Sequence, residues 1–451
     1  MKDVILSKIR KRTARVAVFG LGHIGLPLAA VIAGTGFQVT GVDPDSKIAN
    51  AVLGGRVDIS EPKLNSMIKE AVEKKLLKVA SDGKATVNDT EVILVCVPTP
   101  IKENKTPDLS YIEEVCRTIA HSMSNGKLVI IGSTLPPETT ETFVAPLLER
   151  ESGLRCGIDF WLTYCPERIA PGEALKELVE NDRVIGGYNA ESAEVASEFF
   201  KTFVKGNMLI TDAITSEVSK LAENAFRDVN IAFANELALL CERLGVDVID
   251  AIKLANTHPR VSIHMPGCGV GGPCLPKDPY LLLSPLRDFD SQIIEQARSV
   301  NESMPEHVAE LAIEGLKKLG KPISESRITV LGTAYKGNVG DPRMSPSEHI
   351  IKKFLDLGAK VVAYDPHCSE SFGAEMAGSL IEAVRGSDCV IFATDHSEFK
   401  GIDLFTLRKQ MKDSPTIVDG KRIIDPFEAK RMGFRYRGVG YKAENEVQYH
   451  Y

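Results

Sequence analysis

Apolar residues in this chain gather into short continuous runs that end in glycine, proline or a small polar residue. Arg15–Phe19 (RVAVF), 91–97 (EVILVCV), Leu128–Ile131 (LVII) and 160–165 (FWLTYC) are of this kind. Runs of this length, with turn residues at their ends, predict buried strands of a parallel sheet. Between them the spacing becomes helical. Residues 26–34 read as an apolar helix. Residues 214–244 contain neither Gly nor Pro, and Val218, Leu221, Ala225, Val229, Ala232, Leu237, Leu240 and Leu244 recur at helical spacing before Gly245. That predicts one long helix with a glycine just past its end.

The pattern then repeats. Residues 327–332 (RITVLG) begin a second strand–turn unit, a helix is predicted over 346–357, and 359–366 (AKVVAYDP) closes the unit as 38–44 (QVTGVDP) closes the first. Residues 388–393 parallel 91–97. Such a repeat implies two copies of one architecture. The predicted fold is α/β, with two Rossmann-like domains joined by a long central helix. The predicted boundaries are 1–205, 206–302 and 303–451, with 303–326 as a linking region.

Gly20-Leu-Gly22-His23-Ile24-Gly25 follows the first strand and opens a helix, and Asp43 ends the next strand. In this context a GxGxxG turn points to a dinucleotide. The first glycine permits the tight turn, the second lets a pyrophosphate approach the backbone, and the third lets helix pack on strand. The helix N-terminus faces the phosphates. Asp43 can accept from both ribose hydroxyls and would repel a 2′-phosphate, so NAD is expected rather than NADP. Lys47 and Thr99 are placed with the cofactor. Thr99, Thr134 and Glu167 follow strands, at the sheet edge where ligands of open parallel sheets bind. The second copy's turn, Gly332-Thr-Ala-Tyr-Lys336-Gly337, lacks the full glycine pattern. It is expected to bind something other than a dinucleotide.

Composition narrows the class. The chain has 451 residues, 43% hydrophobic and 25% charged, with a formal net charge of −7. A nucleic-acid binder would usually show a basic balance. No apolar run reaches membrane-spanning length, and residues 1–15 lack the apolar region of a secretory signal. Nine scattered cysteines without a CxxC pair suggest reduced thiols, a cytoplasmic location and no metal site. Cys96, Cys116, Cys241 and Cys389 lie in apolar patterns and are assigned to the core. Cys274 differs. It sits in 269–279 (GVGGPCLPKDP), among Gly, Pro, Lys and Asp, a setting that suits a shaped loop holding a nucleophile. Cys268 is read as a bystander thiol. His258 and His264 are expected to contact substrate or cap turns.

These segments together resemble the UDP-glucose/GDP-mannose dehydrogenase family over residues 14–440. The motifs are GLGHIG with Asp43, GSTLPP, YCPERI, EVSKLAENAFRDVNIAFANE, GVGGPCLPKDP, GTAYKGNVGDPR and VDGKRI. The resemblance implies four-electron oxidation of a nucleotide sugar at C6, from alcohol to acid. It implies NAD on the N-terminal domain, a homodimer through the central helix, and the sugar's nucleotide on the C-terminal domain. It places the nucleophile at Cys274, with Glu167, Lys220, Asn224 and Asp278 around the sugar carbon and Thr134 at the nicotinamide and water side. Arg168, His264 and Gly271 join the substrate set, Lys336 and Arg422 contact the nucleotide sugar, and Arg260 resembles an arginine that reaches into a neighbouring subunit's site. Residues 256–264 (NTHPRVSIH) look most like the branch that acts on UDP-N-acetyl-D-mannosamine, whereas Pro276-Lys277-Asp278 is closer to the UDP-glucose branch. UDP-glucose and UDP-N-acetylglucosamine are therefore alternative substrates. Readings of another kind are a two-electron hydroxyacid-type dehydrogenase and a silent NAD-sensing protein. The first would rest on a His or Lys and need no thiol in a glycine loop.

Overall fold

A computed structural model describes residues 1–57, 59, 61–170, 172–286 and 289–441. The chain packs as two compact units. One comprises residues 1–223 with 280–289, and the other residues 224–279 with those from 290 onward.

The first unit is built on an eight-stranded sheet of β1 (Arg15–Phe19), β2 (Gln38–Val42), β3 (Leu77–Ala80), β4 (Val92–Val95), β5 (Leu128–Ile131), β6 (Trp161–Tyr164), β7 (Arg183–Gly187) and β8 (Met208–Asp212). The strand order is β3-β2-β1-β4-β5-β6-β7-β8. All neighbours are parallel except β6 and β7, which pair antiparallel through Thr163 with Gly187 and Tyr164 with Gly186. Successive side chains of a strand face opposite sides. Val16 and Val18 accordingly enter one core with Ile32, Phe37 and Phe199, while Ala17 and Phe19 enter the other with Ile112, Leu147 and Phe160. The charged N-terminus forms a helix, Lys2–Arg10, that buries Ile5, Leu6 and Ile9. Ion pairs Lys2–Glu194 and Arg10–Glu198 rim it.

The second unit carries β9 (Arg327–Leu331), β10 (Lys360–Tyr364), β11 (Glu375–Met376), β12 (Cys389–Phe392), β13 (Thr416–Asp419) and β14 (Arg435–Gly438). All are parallel, in the order β11-β10-β9-β12-β13-β14. This is the order of β1 to β6 over again. The register agrees too: Arg15 faces Gln38 in the first sheet and Arg327 faces Lys360 in the second. Each sheet therefore reverses direction of winding beside its first strand, where doubly wound folds bind ligands. Cys389 and Ile391 of β12 enter one core, Val390 and Phe392 the other.

The long helix spans Ala213–Leu244. Residues up to Glu223 count with the first unit and the rest with the second. The expected link at 303–326 is mostly helical instead, because a helix covers Gln292–Lys317 with Pro305 inside it. Met304, Val308, Leu311, Ala312 and Leu316 are buried at helical spacing. The two residues that read as breakers are used for packing. Pro305 is buried, and a Cβ on Gly315 would stand 2.7 Å from Thr416 Cγ2. Among the described residues no helix is long and apolar enough to cross a membrane.

Candidate active site

The first glycine turn behaves as a phosphate cradle. Gly20 has φ +87°, and a Cβ there would lie 2.6 Å from the Cys96 carbonyl oxygen. A Cβ on Gly25 would lie 1.8 Å from the Gly20 oxygen, so the helix Gly25–Gly34 can only start this close without a side chain. At Gly22 a Cβ would meet nothing within 4 Å. The middle glycine thus faces open space, where a pyrophosphate would approach the backbone. Cys96 is half-buried, packed against the first core and beneath this turn. Cys116, Cys241 and Cys389 are buried as expected.

Asp43 is buried, and among the described residues its carboxylate accepts from the Leu21 amide at 2.9 Å and the Asp45 amide at 3.0 Å and from no other group. A carboxylate offers about four acceptor sites, so about half remain for a ribose diol. These features fit NAD. His23 is exposed and Ile24 half-buried beside the turn. Lys47 is exposed and its amide donates to Oδ1 of Asp45, the helix N-cap. Thr99 is buried at the end of β4 and Thr134 half-buried beyond β5. Ser133, next to Thr134, ties the two strand ends together by donating its hydroxyl to Val97 O at 2.7 Å.

Beyond β6, Glu167 is buried and paired with buried Arg183, Nη1 to Oε1 at 2.6 Å. Its Oε2 is buried without a hydrogen-bond partner. An anion fixed at one oxygen and idle at the other is fitted to hold or activate a water. Arg168 is turned elsewhere, to Glu223 at 2.6 Å and to the Asp182 carbonyl at 3.3 Å. Lys220 is half-buried on the long helix, one turn before Asn224.

In the second unit the loop 269–279 folds back on itself. The amides of Lys277 and Asp278 both donate to the Cys274 carbonyl, at 3.0 and 2.9 Å. Asp278 then begins the helix Asp278–Leu283. Its carboxylate is wholly buried, with Asn224 Nδ2 on Oδ2 at 2.5 Å and Lys277 Nζ on Oδ1 at 2.7 Å. Cys274 itself is half-buried. Cys268 is wholly buried, and burial pushes its thiol up to about 11. No cysteine forms a disulfide among the described residues.

The loop hangs from the polar face of the long helix. Asn230 accepts from the His264 amide and donates to the Ser262 carbonyl, both at 2.8 Å. Asn235 accepts from the Gly267 amide at 2.8 Å and donates to Asn301 at 2.9 Å. Asp228 holds Arg298 at 2.7 Å and Asn301 at 2.9 Å. These residues, and Arg183 with them, were not foreseen. The signal was the run of Asn and Asp within 224–235, whose partners lie far away in sequence. His264 is half-buried; burial, then Arg227, lowers its imidazole below the usual range. Arg260 is exposed, and Gly271 lies in the loop against the β9 turn.

The second glycine turn, after β9, is closed where the first is open. Asp365, the counterpart of Asp43, accepts from the amides of Thr333, Ala334, His367 and Cys368 at 2.7–2.9 Å and from His396 Nε2 at 2.9 Å. Its acceptor sites are filled by the protein. Burial alone would raise this carboxyl, but His396 and the amides outweigh it and hold it at about 2. His396 Nδ1 accepts from the Asn338 amide at 2.9 Å. With both ring nitrogens engaged, the nearby trio His367, His396 and Glu398 is a hydrogen-bonded cluster. Lys336 is exposed on this turn. Arg422 is not. Its guanidinium grips Asp247 through Nη1 at 3.0 Å and Nη2 at 2.7 Å and donates to the Val439 carbonyl.

An open dinucleotide turn in one Rossmann domain and a closed turn in another define an NAD-binding oxidoreductase with a second nucleotide-type domain. Residues 14–204 match the NAD binding domain, 214–303 the central domain and 329–426 the UDP binding domain of the UDP-glucose/GDP-mannose dehydrogenase family. The chain belongs to that family and is an NAD-dependent UDP-sugar dehydrogenase. It is 45% identical to the UDP-N-acetyl-D-mannosamine dehydrogenase of Pyrococcus horikoshii, over 94% of this chain and 99% of that one. It is 40% identical to the enzyme of the same name from Methanococcus maripaludis, over 94% and 97%. The solved Pyrococcus horikoshii structure superposes with a TM-score of 0.89. The UDP-N-acetyl-mannosamine dehydrogenase of Staphylococcus aureus, 35% identical, superposes with 0.84 over 95% of this chain and 98% of that one.

Proposed function

We propose that this chain oxidises UDP-N-acetyl-D-mannosamine at C6 to the uronate, with Cys274 as covalent nucleophile. The choice of sugar rests on the relatives at 45% and 40% identity, which carry that activity in their names. The mechanism rests on one arrangement: Cys274, half-buried, precedes by four residues a buried Asp278 whose carboxylate is gripped by Asn224.

Bound NAD supplies the hydride acceptor for each of two oxidations. Residues Gly20, Gly22, Gly25 and Asp43 hold it, with His23, Ile24, Lys47, Thr99 and Thr134 around it. In the first oxidation the C6 hydroxyl gives its proton to Lys220 or to a water held by Asp278, and its carbon gives up a hydride. The Cys274 thiolate then adds to the aldehyde carbon, and Lys220 and Asn224 stabilise the oxyanion. The thiohemiacetal is again an alcohol. Loss of its hydroxyl proton and a second hydride leaves a thioester. Glu167, with its idle oxygen, activates the water that attacks the thioester carbon. The C–S bond breaks, the thiolate leaves, and the carboxylate is released. One alcohol, one water and two NAD+ yield one carboxylate, two NADH and three protons. Cysteine suits both halves, as nucleophile and as leaving group. Asp278, with both oxygens paired, keeps its charge fixed beside the loop and is the weaker candidate for the hydrolytic base.

On this reading residues 1–205 hold NAD, 206–302 form the dimerisation domain and 303–451 take the UDP-sugar. Lys336 meets the diphosphate, Arg422 braces that region through Asp247, and Arg168, His264 and Gly271 line the sugar. Exposed Arg260 enters the partner's site. Phe226, Phe233, Leu240 and Leu244 are 67%, 53%, 49% and 64% exposed on the long helix, an apolar stripe suited to a second copy. The free thiols among the described residues support a cytoplasmic location. The test is NADH released per sugar across a panel of UDP-hexoses and UDP-N-acetylhexosamines. Two NADH per UDP-N-acetyl-D-mannosamine, and loss of steady turnover in Cys274→Ser, are expected. One NADH with accumulating aldehyde, or full activity of Cys274→Ser, overturns the mechanism. Light scattering reads the dimer.

A further inference from the structure

The nucleophile's loop lies against the turn that follows β9, and the contact runs through its paired glycines. A Cβ on Gly272 would stand 2.7, 2.9 and 3.0 Å from ring carbons Cε2, Cζ and Cδ2 of Tyr335. A Cβ on Gly271 would stand 2.6 Å from the Met344 oxygen and 2.8 Å from Tyr335 Cβ. Gly272 also has φ +93°, a conformation that excludes most side chains. Its amide donates to the Arg343 carbonyl at 3.0 Å. The β9 turn that presents the ring is itself braced. The Tyr335 amide donates to the Asp341 carbonyl at 3.0 Å, and Arg343 is paired with both oxygens of the Asp341 carboxylate. The glycine pair is bare because Tyr335 and the Met344 carbonyl occupy the space that side chains would need.

Cys274 follows two residues later. Downstream, its backbone is held by the Lys277 and Asp278 amides. Upstream, Gly269 lies against Asn301 and Pro305, and the two glycines nearest the cysteine lie against the Tyr335–Arg343 wall. We propose that Tyr335 is a positioning residue for the nucleophile: its ring fixes the backbone of Gly271 and Gly272 and so directs Cys274 Sγ. The ring carbons do this, and the hydroxyl is not needed. The inference rests on Cys274 being the nucleophile. Burial pushes the Tyr335 phenol up, with Asp341 and Cys274 adding to the effect. The phenol is therefore neutral at working pH, and it lies within electrostatic reach of the thiol.

The test compares Tyr335→Phe, Tyr335→Leu and Tyr335→Ala in the full-length chain. Three readouts are taken: kcat, KM for NAD, and the iodoacetamide alkylation rate of Cys274 followed on its own peptide by mass spectrometry. Tyr335→Phe should match the parent in all three. Tyr335→Ala should lose on the order of 100-fold in kcat, the effect of a misplacement near 1 Å. Its KM for NAD should be unchanged, and its Cys274 alkylation rate altered while the other cysteines react as before. Tyr335→Leu, which keeps bulk if Ala unfolds the chain, should fall between. A parental alkylation rate and kcat in Tyr335→Ala overturn the proposal, and so does a Tyr335→Phe variant as impaired as Ala. Cys274→Ser run alongside separates the two readings. If it keeps turnover the nucleophile assignment fails, and the alkylation rates still decide what Tyr335 does.

Discussion

Glu217 lies near the start of the long helix, just past its first turn and three residues before Lys220, and is wholly buried. Its Oε1 accepts from the Thr140 amide at 2.8 Å and the Thr140 hydroxyl at 2.6 Å. Among the described residues its buried Oε2 makes no well-aligned hydrogen bond, although the Glu138 backbone lies close enough to lower the carboxyl. Thr140 opens a π-helical turn, Thr140–Val144, a rare geometry that occurs mostly as single turns and often near functional sites. Burial pushes the Glu217 carboxyl up to about 7, against the pull of the Thr140 donors. The folded protein thus keeps this proton to about pH 7, whereas the unfolded chain gives it up near 4.5. Stability from this group is fully present below pH 4.5 and is lost as the pH rises through 7. The whole difference is worth about 3 kcal/mol at 1.36 kcal/mol per pH unit, and relaxation of the surroundings brings it nearer 2 kcal/mol.

Replacing Glu217 by Gln isolates that cost. The amide oxygen can still accept from Thr140, and the amide nitrogen stands where the idle acid oxygen stood. Near pH 5, where the native acid is protonated, the variant should match the parent within about 1 kcal/mol. At pH 8, where the parent buries a charge, Glu217→Gln should be more stable by about 2 kcal/mol. Differential scanning calorimetry at both pH values reads this directly. For a unit of this size about 2 kcal/mol raises the midpoint by roughly 4–8 °C, and the gain should be present at pH 8 and absent at pH 5. Equal shifts at the two pH values, or a variant less stable at pH 8, would refute the reasoning. A shift independent of pH would mean that packing and not charge governs the site.

Two further outcomes are expected. Gly22→Ala should fold normally, because its Cβ meets nothing within 4 Å, yet it should raise KM for NAD by filling the cradle; Gly25→Ala should instead lower thermal stability, since its Cβ collides with the Gly20 oxygen. Binding calorimetry with NAD and thermal melts separate the two. Asp365, held at about 2, stabilises the fold above its ordinary value near 3.8 and loses that contribution as pH falls toward 2. The loss is no more than about 2 kcal/mol, and acid titration by circular dichroism should show this limb in the parent and not in Asp365→Asn.

Both Rossmann copies were legible because their signals are local. The first rests on three glycines at fixed spacing and an acid at the next strand's end. The second rests on the echo of QVTGVDP in AKVVAYDP. The long helix was legible from an uninterrupted stripe, and it begins at Ala213, one residue before the expectation. The helix Gln292–Lys317 was not, because Pro305 and Gly315 look like punctuation until their neighbours are known. The site divides in the same way. Residue types and spacing singled out Cys274 and Asp278. The partners of Asp278, Glu167 and Arg422 come from 54, 16 and 175 residues away. No periodicity encodes that choice. Arg422, which the resemblance assigned to the nucleotide sugar, shows the distance effect: its bidentate partner Asp247 could not be read from the sequence.

The same distance effect separates the two nucleotide domains. Asp43 and Asp365 both directly follow the second strand of sheets that share one six-strand order, and both stand before a proline. Local chemistry alone would give them one role. His396, 31 residues beyond Asp365, brings a ring whose Nε2–H takes up the carboxylate and whose Nδ1 fastens the Asn338 amide. The amides of Thr333 and Ala334 close in on the same oxygen. Among the described residues no histidine bonds Asp43, which keeps acceptor sites for a ligand's hydroxyls. A duplicated fold has thus been divided by one imported side chain. The copy with the idle acid is the one that can hold a dinucleotide's ribose. In the copy with the saturated acid, a nucleotide would have to meet groups other than that acid.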